Sequence, residues 1–145
     1  MDMCFSKTDD GCFATIGKRP KYWTYANGLL EGKGMIMGSF KRSKLIVGTF
    51  LQNGKMMCGA SNGYVYCFAG KSCCGAKKFH KGAIYCIASV GDTFMTGGKD
   101  KKLRLFKDGD WKTCVAEVKL WAYPRGLDFD EEADKIIVGC KDGVV

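Results

Sequence analysis

The segment FMTGGKDKKLRLFK at 94–107 sets the pattern of the chain: a short apolar run, two glycines, a polar turn carrying Asp100, then the alternation Leu103, Arg104, Leu105 that closes on Phe106. Alternation over a few residues marks a half-buried strand, and a glycine-rich polar cluster marks the turn that joins two of them. The pattern recurs. Thirty-eight residues earlier it reads MMCGASNGYVYCFA, with Asn62 in place of Asp100 and Phe68 in place of Phe106. Forty-two residues after Asp100 stands Asp142, within IIVGCKDGVV at 136–145, and CFATIGKRPKYWTY at 12–25 is a shorter version with Trp23 in the aromatic place. Self-similarity at a spacing near 40 residues is the mark of a repeat architecture.

Each unit adds a strand before this pair (DMCFS, KLIVGTF, AIYCIASV and GLDFD) and, where the chain is long enough, one after it (GMIMGSF, SCCGAKKF and TCVAEVKL). No stretch of eleven or more residues holds an apolar face at i, i+3, i+4 and i+7 without a glycine or turn cluster interrupting it, so helices are not expected. The prediction is an all-β chain of meandering, antiparallel four-stranded sheets. The units run over 1–40, 41–79, 80–120 and an incomplete 121–145.

Units of this kind resemble the blades of the WD-repeat β-propeller. The third unit carries most of the resemblance: His80 stands before its first strand, Thr96 on its second, Asp100 in the tight turn, and Phe106 where the family has a tryptophan. The resemblance implies that these side chains link the outer loop to the blade through hydrogen bonds. Phenylalanine has no indole N–H, so this blade is expected to keep the His80, Asp100 and Thr96 part and to lose the fourth member. The other units lack the histidine.

The phrases FATIGKRPKYWTY, NGYVYCFAG, HKGAIYCIA followed by FMTGGKDKKLRLF, and DKIIVGCKDG resemble one subfamily in particular, the amino-terminal propeller of the echinoderm microtubule-associated protein-like family. The resemblance runs from about residue 2 to residue 145. It implies a non-enzymatic cytoskeletal scaffold that binds tubulin in microtubules or axonemal proteins, in the cytoplasm or in a cilium or flagellum, as part of a pair of linked propellers. The family's coiled coil and its hydrophobic signature ahead of the first blade have no counterpart here. An adaptor for nucleic-acid-associated or peptide-presenting complexes is the alternative reading. At roughly 40 residues per blade the chain supplies about 3.6 blades, whereas closed propellers need roughly four to eight, so a fragment of a longer chain is expected.

Charge adds a direction to this picture. The chain carries 23 basic and 15 acidic side chains, a formal net charge of +8. In a four-stranded meander the turn between strands two and three and the link to the next unit lie at one end. That end collects Lys18, Arg19, Lys41, Arg42, Lys44, Lys77, Lys78, Lys81, Lys99, Lys101, Lys102 and Lys141, a candidate basic face for acidic protein surfaces such as the glutamate-rich tails of tubulin. The opposite end collects Asp9, Asp10, Asp92, Asp108, Asp110, Asp130, Glu131, Glu132 and Asp134, with few bases. Charges that simply occupy loops are the other reading of the same list. The charge alone would attract any polyanion, but no RNA-binding signature accompanies it and specific nucleic-acid readout is not expected.

Other chemistry finds little purchase. The single histidine, His80, is assigned to the blade signature rather than to a catalytic triad. Gly28, Gly32 and Lys33 in GLLEGKG are one residue short of a phosphate loop and lack the following Ser or Thr, so a β-turn is predicted. DFDEEAD at 128–134 lacks the glycine of a calcium loop and reads as a solvated loop. The nine cysteines are odd in number, contain no CxxC pair and sit mostly in apolar runs, which points to reduced core thiols in a reducing, cytosolic compartment. Cys73 and Cys74 cannot both point inward on a strand, so one of them is expected to be exposed. Trp111, in the polar stretch KDGDWKT, is either packed between blades or an exposed anchor. Gly63 and Gly143 follow turn residues where a positive φ is often required. No apolar run approaches the roughly 18 residues of a membrane span, and neither cofactor nor metal is expected.

Overall fold

Asn27 and Gly28 show how local chemistry shapes the sheets. Both adopt positive φ, 53° and 74°, as a two-residue hairpin loop of the primed type demands, and Asn-Gly is the pair that tolerates this best. They join two of the strands of the first sheet, β1 (Asp2–Phe5), β2 (Cys12–Ile16), β3 (Lys21–Ala26) and β4 (Leu29–Gly34). The second sheet comprises β5 (Leu45–Phe50), β6 (Met56–Ala60), β7 (Tyr64–Ala69) and β8 (Ser72–Lys78). The third comprises β9 (Ile84–Val90), β10 (Thr93–Gly98), β11 (Lys102–Phe106) and β12 (Ala116–Lys119), and the fourth β13 (Pro124–Asp130), β14 (Lys135–Cys140) and β15 (Gly143–Val144). The computed structural model describes residues 2–9, 11–107, 110–141 and 143–144, the last pair by backbone alone. Every pairing within a sheet is antiparallel and sequential, and no helix occurs among the described residues.

The sheets stack face to face, and apolar clusters fill the three seams. The first seam joins Cys4, Ala14 and Ile16 to Met56, Cys58, Tyr66 and Phe68. The second joins Met57, Val65 and Cys67 to Ile84, Phe94, Phe106 and Trp111. The third joins Met95 and Leu103 to Val138. Alternate residues of one strand therefore serve opposite seams. All five residues of β6 are buried, because its sheet is covered on both faces, and its sequence is correspondingly apolar throughout. The fourth strands form the outer edges; β4 and β12 are exposed along their whole length.

One expected strand is displaced. GMIMGSF at 34–40 resembles a fourth strand, but that place is taken by Leu29–Gly34, and the expected β-turn at Gly28, Gly32 and Lys33 is correspondingly a hairpin strand. The Asn27-Gly28 turn decides the matter, since it sends the chain straight back along β3, pairing Ala26 with Leu29 and Trp23 with Gly32. Residues 35–40 are instead a link that leans onto the next sheet. Ile36 bridges Ser72 in parallel, and Met37 enters the first seam.

Candidate functional site

His80 is held in the link that enters the third sheet, where its backbone N–H donates to the Gly63 carbonyl of the second sheet at 3.1 Å. Gly63 sits at φ +84, and a Cβ there would lie 2.1 Å from the His80 carbonyl oxygen, so only glycine allows the two sheets to meet this closely. The imidazole is 1% exposed. Its Nδ1 lies 2.8 Å from Asp100 Oδ1 and its Nε2 lies 2.8 Å from Thr96 Oγ1. A carboxylate can only accept, so Nδ1–H donates to Asp100, and Nε2 accepts from the Thr96 hydroxyl. Burial holds the His80 pKa below its ordinary value, with the Asp100 hydrogen bond pulling the other way. The ring is neutral. Burial also acts to raise the Asp100 pKa, but the His80 N–H, the Arg104 guanidinium and the Lys81 backbone N–H outweigh it and keep the carboxylate ionised below its usual range.

Phe106 stands apart from this polar chain. Its ring stacks on Phe94 at 4.6 Å between centroids and meets Phe79 edge-on at 4.7 Å. Arg104 takes part instead. Its Nη1 donates to Asp100 Oδ2 at 3.1 Å and its Nη2 pairs with Glu117 Oε2 at 3.0 Å. Its approach to His80 Nδ1 brings two donors together and is not a hydrogen bond. Arg104 was legible in principle, because it lies two positions from Phe106 on an alternating strand and directly opposite Thr96 in the register.

The neighbouring sheets solve the same problem with other side chains. Tyr66 occupies the position of Arg104 in the second sheet; its hydroxyl donates to the Lys41 carbonyl at 2.6 Å and accepts from Asn62 Nδ2 at 3.2 Å. In the first sheet Phe13 pairs with Trp23 in register, as Phe94 pairs with Phe106, so Trp23 does stand in the aromatic place. Its indole N–H donates to Thr15 Oγ1 at 3.1 Å, the link that phenylalanine denies to the third sheet. Trp111 is 8% exposed and lies over Gly75, where a Cβ would come within 2.3 Å of its ring; it is packed between the second and third sheets. Asp142 lies outside the described residues.

The turns β2–β3, β6–β7 and β10–β11 and the links between sheets share one end of the stack. Lys18, Arg19, Lys41, Arg42, Lys44, Lys78, Lys81, Lys99 and Lys141 are exposed there. Lys18, Arg19 and Arg42 line a common hollow of about 260 Å³. Three of the expected members are engaged: the Lys77 ammonium donates to the Lys112 carbonyl at 2.8 Å, Lys101 lies over the Tyr123 ring at 5.1 Å, and Lys102 pairs with Glu117 at 2.6 Å. The opposite end is mixed rather than acidic. Asp9, Asp92, Asp110, Asp130, Glu131, Glu132 and Asp134 share it with Lys7, Lys55, Lys71, Lys107 and Lys112, while Asp10 and Asp108 lie outside the described residues. Several of its acids are turn acceptors, Asp92 for the Asn53 N–H at 2.8 Å and Asp130 for the Ala133 N–H at 3.1 Å. Among the described residues no three His, Cys, Asp or Glu side chains converge as a metal-ligand set.

No protein-family model and no curated protein matches the chain. Solved structures do. The chain is similar to the computationally designed Ika4 protein, at 19% identity over 99% of this chain and 86% of that one, with a TM-score of 0.76. It is also similar to the WD40 β-propeller domain of Doa1, at 17% identity over 99% of this chain and 48% of that one, with a TM-score of 0.78. The fold is that of a WD40 β-propeller. Its four sheets are blades, β1, β5, β9 and β13 leading each blade and β4, β8 and β12 closing the first three at the rim. The chain spans about half the length of the Doa1 domain structure.

Proposed function

We propose that the chain is part of a non-enzymatic propeller scaffold whose basic end docks on an acidic protein surface, the glutamate-rich tails of tubulin in microtubules or in an axoneme being the partner. Blades at 1–40, 41–79, 80–120 and 121–145 make up the part of the propeller in hand. The observation that carries the reading is the exposed cations Lys18, Arg19, Lys41, Arg42, Lys44, Lys78, Lys81 and Lys99 at one end, with three of them around one hollow. None of these side chains forms an ion pair among the described residues, so their field is free to act on a partner. The phrases that resemble the echinoderm microtubule-associated protein-like family supply the identity of that partner and a cytoplasmic, cytoskeletal or ciliary location. The propeller fold supports a protein-interaction role, and in this reading His80 is a structural member of the third blade, with both ring nitrogens occupied.

Contacts of this kind are mainly electrostatic and weaken with salt. Changing Lys41, Arg42, Lys78 and Lys81 to glutamate in the full-length protein is expected to weaken microtubule co-sedimentation at low ionic strength. Changing Asp130, Glu131 and Glu132 to lysine is expected to leave it intact. Microtubules stripped of their acidic tails by limited proteolysis should bind the unaltered protein as poorly as intact microtubules bind the glutamate variant. Equal binding by both variants would remove the basic end from the mechanism.

A further inference from the structure

The second blade contains a contact that the scaffold reading does not use. Register between β7 and β8 shifts at one point: Cys67 pairs with Gly75 and Phe68 pairs with Cys73, which leaves Cys74 as the inserted residue of a β-bulge. Adjacent side chains on a strand turn to opposite faces, and the two cysteines diverge accordingly. Cys73 is half-buried, with its sulfur toward the Gly75 carbonyl at 3.4 Å. Cys74 is exposed, and its Sγ lies 3.1 Å from the Sγ of Cys67, which is fully buried. No other pair of cysteine sulfurs among the described residues makes such a contact.

We propose that Cys67 and Cys74 form an oxidation site for hydroperoxides, in which Cys74 is oxidised first and Cys67 closes a reversible disulfide inside the blade. Of the two, Cys74 is the exposed residue, open to a solvent-borne oxidant, and Cys67 is fully buried. In the first step the Cys74 sulfur attacks the terminal oxygen of the hydroperoxide; the O–O bond breaks, Cys74 becomes a sulfenic acid, and the thiol proton leaves with the other oxygen as an alcohol, or as water from hydrogen peroxide. In the second the Cys67 sulfur attacks the sulfenic sulfur, the S–O bond breaks, and the hydroxyl departs as water with the Cys67 proton. Two thiols have then lost two electrons and two protons, and the peroxide has been reduced. The two sulfurs already lie 3.1 Å apart, about 1 Å more than the S–S bond they would form. Burial, followed by the neighbouring Cys74, pushes the Cys67 pKa up to about 12, so Cys67 is not the first point of attack; its place 3.1 Å from the Cys74 sulfur makes it the resolving partner. Cys4, Cys58 and Cys86 are buried and their thiols are also raised by burial, but none has an exposed sulfur beside it.

Lys71 lies between the two cysteines, so trypsin separates Cys67, in 56–71, from Cys74, in 72–77. The intact protein is treated with one equivalent of hydrogen peroxide, its remaining thiols are alkylated, and the digest is read by mass spectrometry. The expected result is a cross-linked pair of these peptides, two hydrogens lighter than their sum, assigned by fragmentation to Cys67 and Cys74 and released by dithiothreitol. The link should persist in Cys73→Ser and Cys58→Ser and vanish in Cys74→Ser, a near-isosteric change at an exposed position. Unlinked peptides in the unaltered protein, a link that survives in Cys74→Ser, or a link that forms only in denaturant would each overturn the proposal.

Discussion

Replacing His80 with alanine tests the polar chain of the third blade at its centre. The imidazole serves two partners, Asp100 and Thr96, each at 2.8 Å, and the two losses differ in kind. Asp100 keeps Arg104 and the Lys81 N–H, both at 3.1 Å, so the missing charge-assisted bond costs about 1.5 kcal/mol, the low end for such bonds. Thr96 is 0% exposed and loses the acceptor of its hydroxyl; an unpaired buried hydroxyl costs about 1–2 kcal/mol. The expected total is about 3 kcal/mol, read as a lower urea midpoint of the complete protein at unchanged slope. Thr96→Val alone strands His80 Nε2 and should cost about 1–2 kcal/mol, yet in the His80→Ala background it removes the orphaned hydroxyl. The double variant leaves neither group stranded and should therefore be more stable than the sum of the single changes predicts, by about 2–4 kcal/mol. A His80→Ala protein within about 0.5 kcal/mol of the original, or strict additivity in the double variant, would refute the reasoning, since ordinary surface changes fall in that range.

The same ring makes stability depend on pH. Burial lowers the His80 pKa from 6.5, so as the pH falls below that value the unfolded chain takes up a proton that the folded chain refuses; stability is fully present above pH 6.5 and is lost as the pH falls from there toward the lowered folded value. The urea midpoint should drop between pH 7.5 and 5.5 and should not do so in His80→Ala, the chain having one histidine; the same drop in both would assign the effect elsewhere. In the second blade, Tyr66→Phe removes the hydroxyl that ties Lys41 to Asn62 and should cost about 1–2 kcal/mol in the same denaturation experiment, with no loss signifying that the link to the first blade is held by packing alone.

Much of this architecture is written in short stretches of sequence. The alternation of Leu103, Arg104 and Leu105, the polar turns at Asn62 and Asp100, and the return of the pattern near every 40 residues specify antiparallel strands in repeated units, because strand pairing across a tight turn depends on residues a few positions apart. The places of Asp100 and the aromatics Phe106 and Trp23 follow from the same local spacing, while the tie of His80 and Thr96 to Asp100 was implied only by the resemblance to WD-repeat blades. What the sequence left open depends on which face of a blade meets its neighbour. Residues 35–40 have the alternation of a strand and still serve as a link, because Ile36 finds its partner in the following blade. Trp111 sits in a polar stretch and still packs between blades, because Gly75 of another sheet leaves room for its ring. Lys77 and Lys102 leave the expected basic face because Lys112 and Glu117 reach them from other parts of the fold. The pairing of Cys67 with Cys74 rests on a bulge that no spacing rule announces. Such outcomes are decided by contacts across the seams, where a side chain's partner is set by the packing of whole sheets and not by its neighbours along the chain.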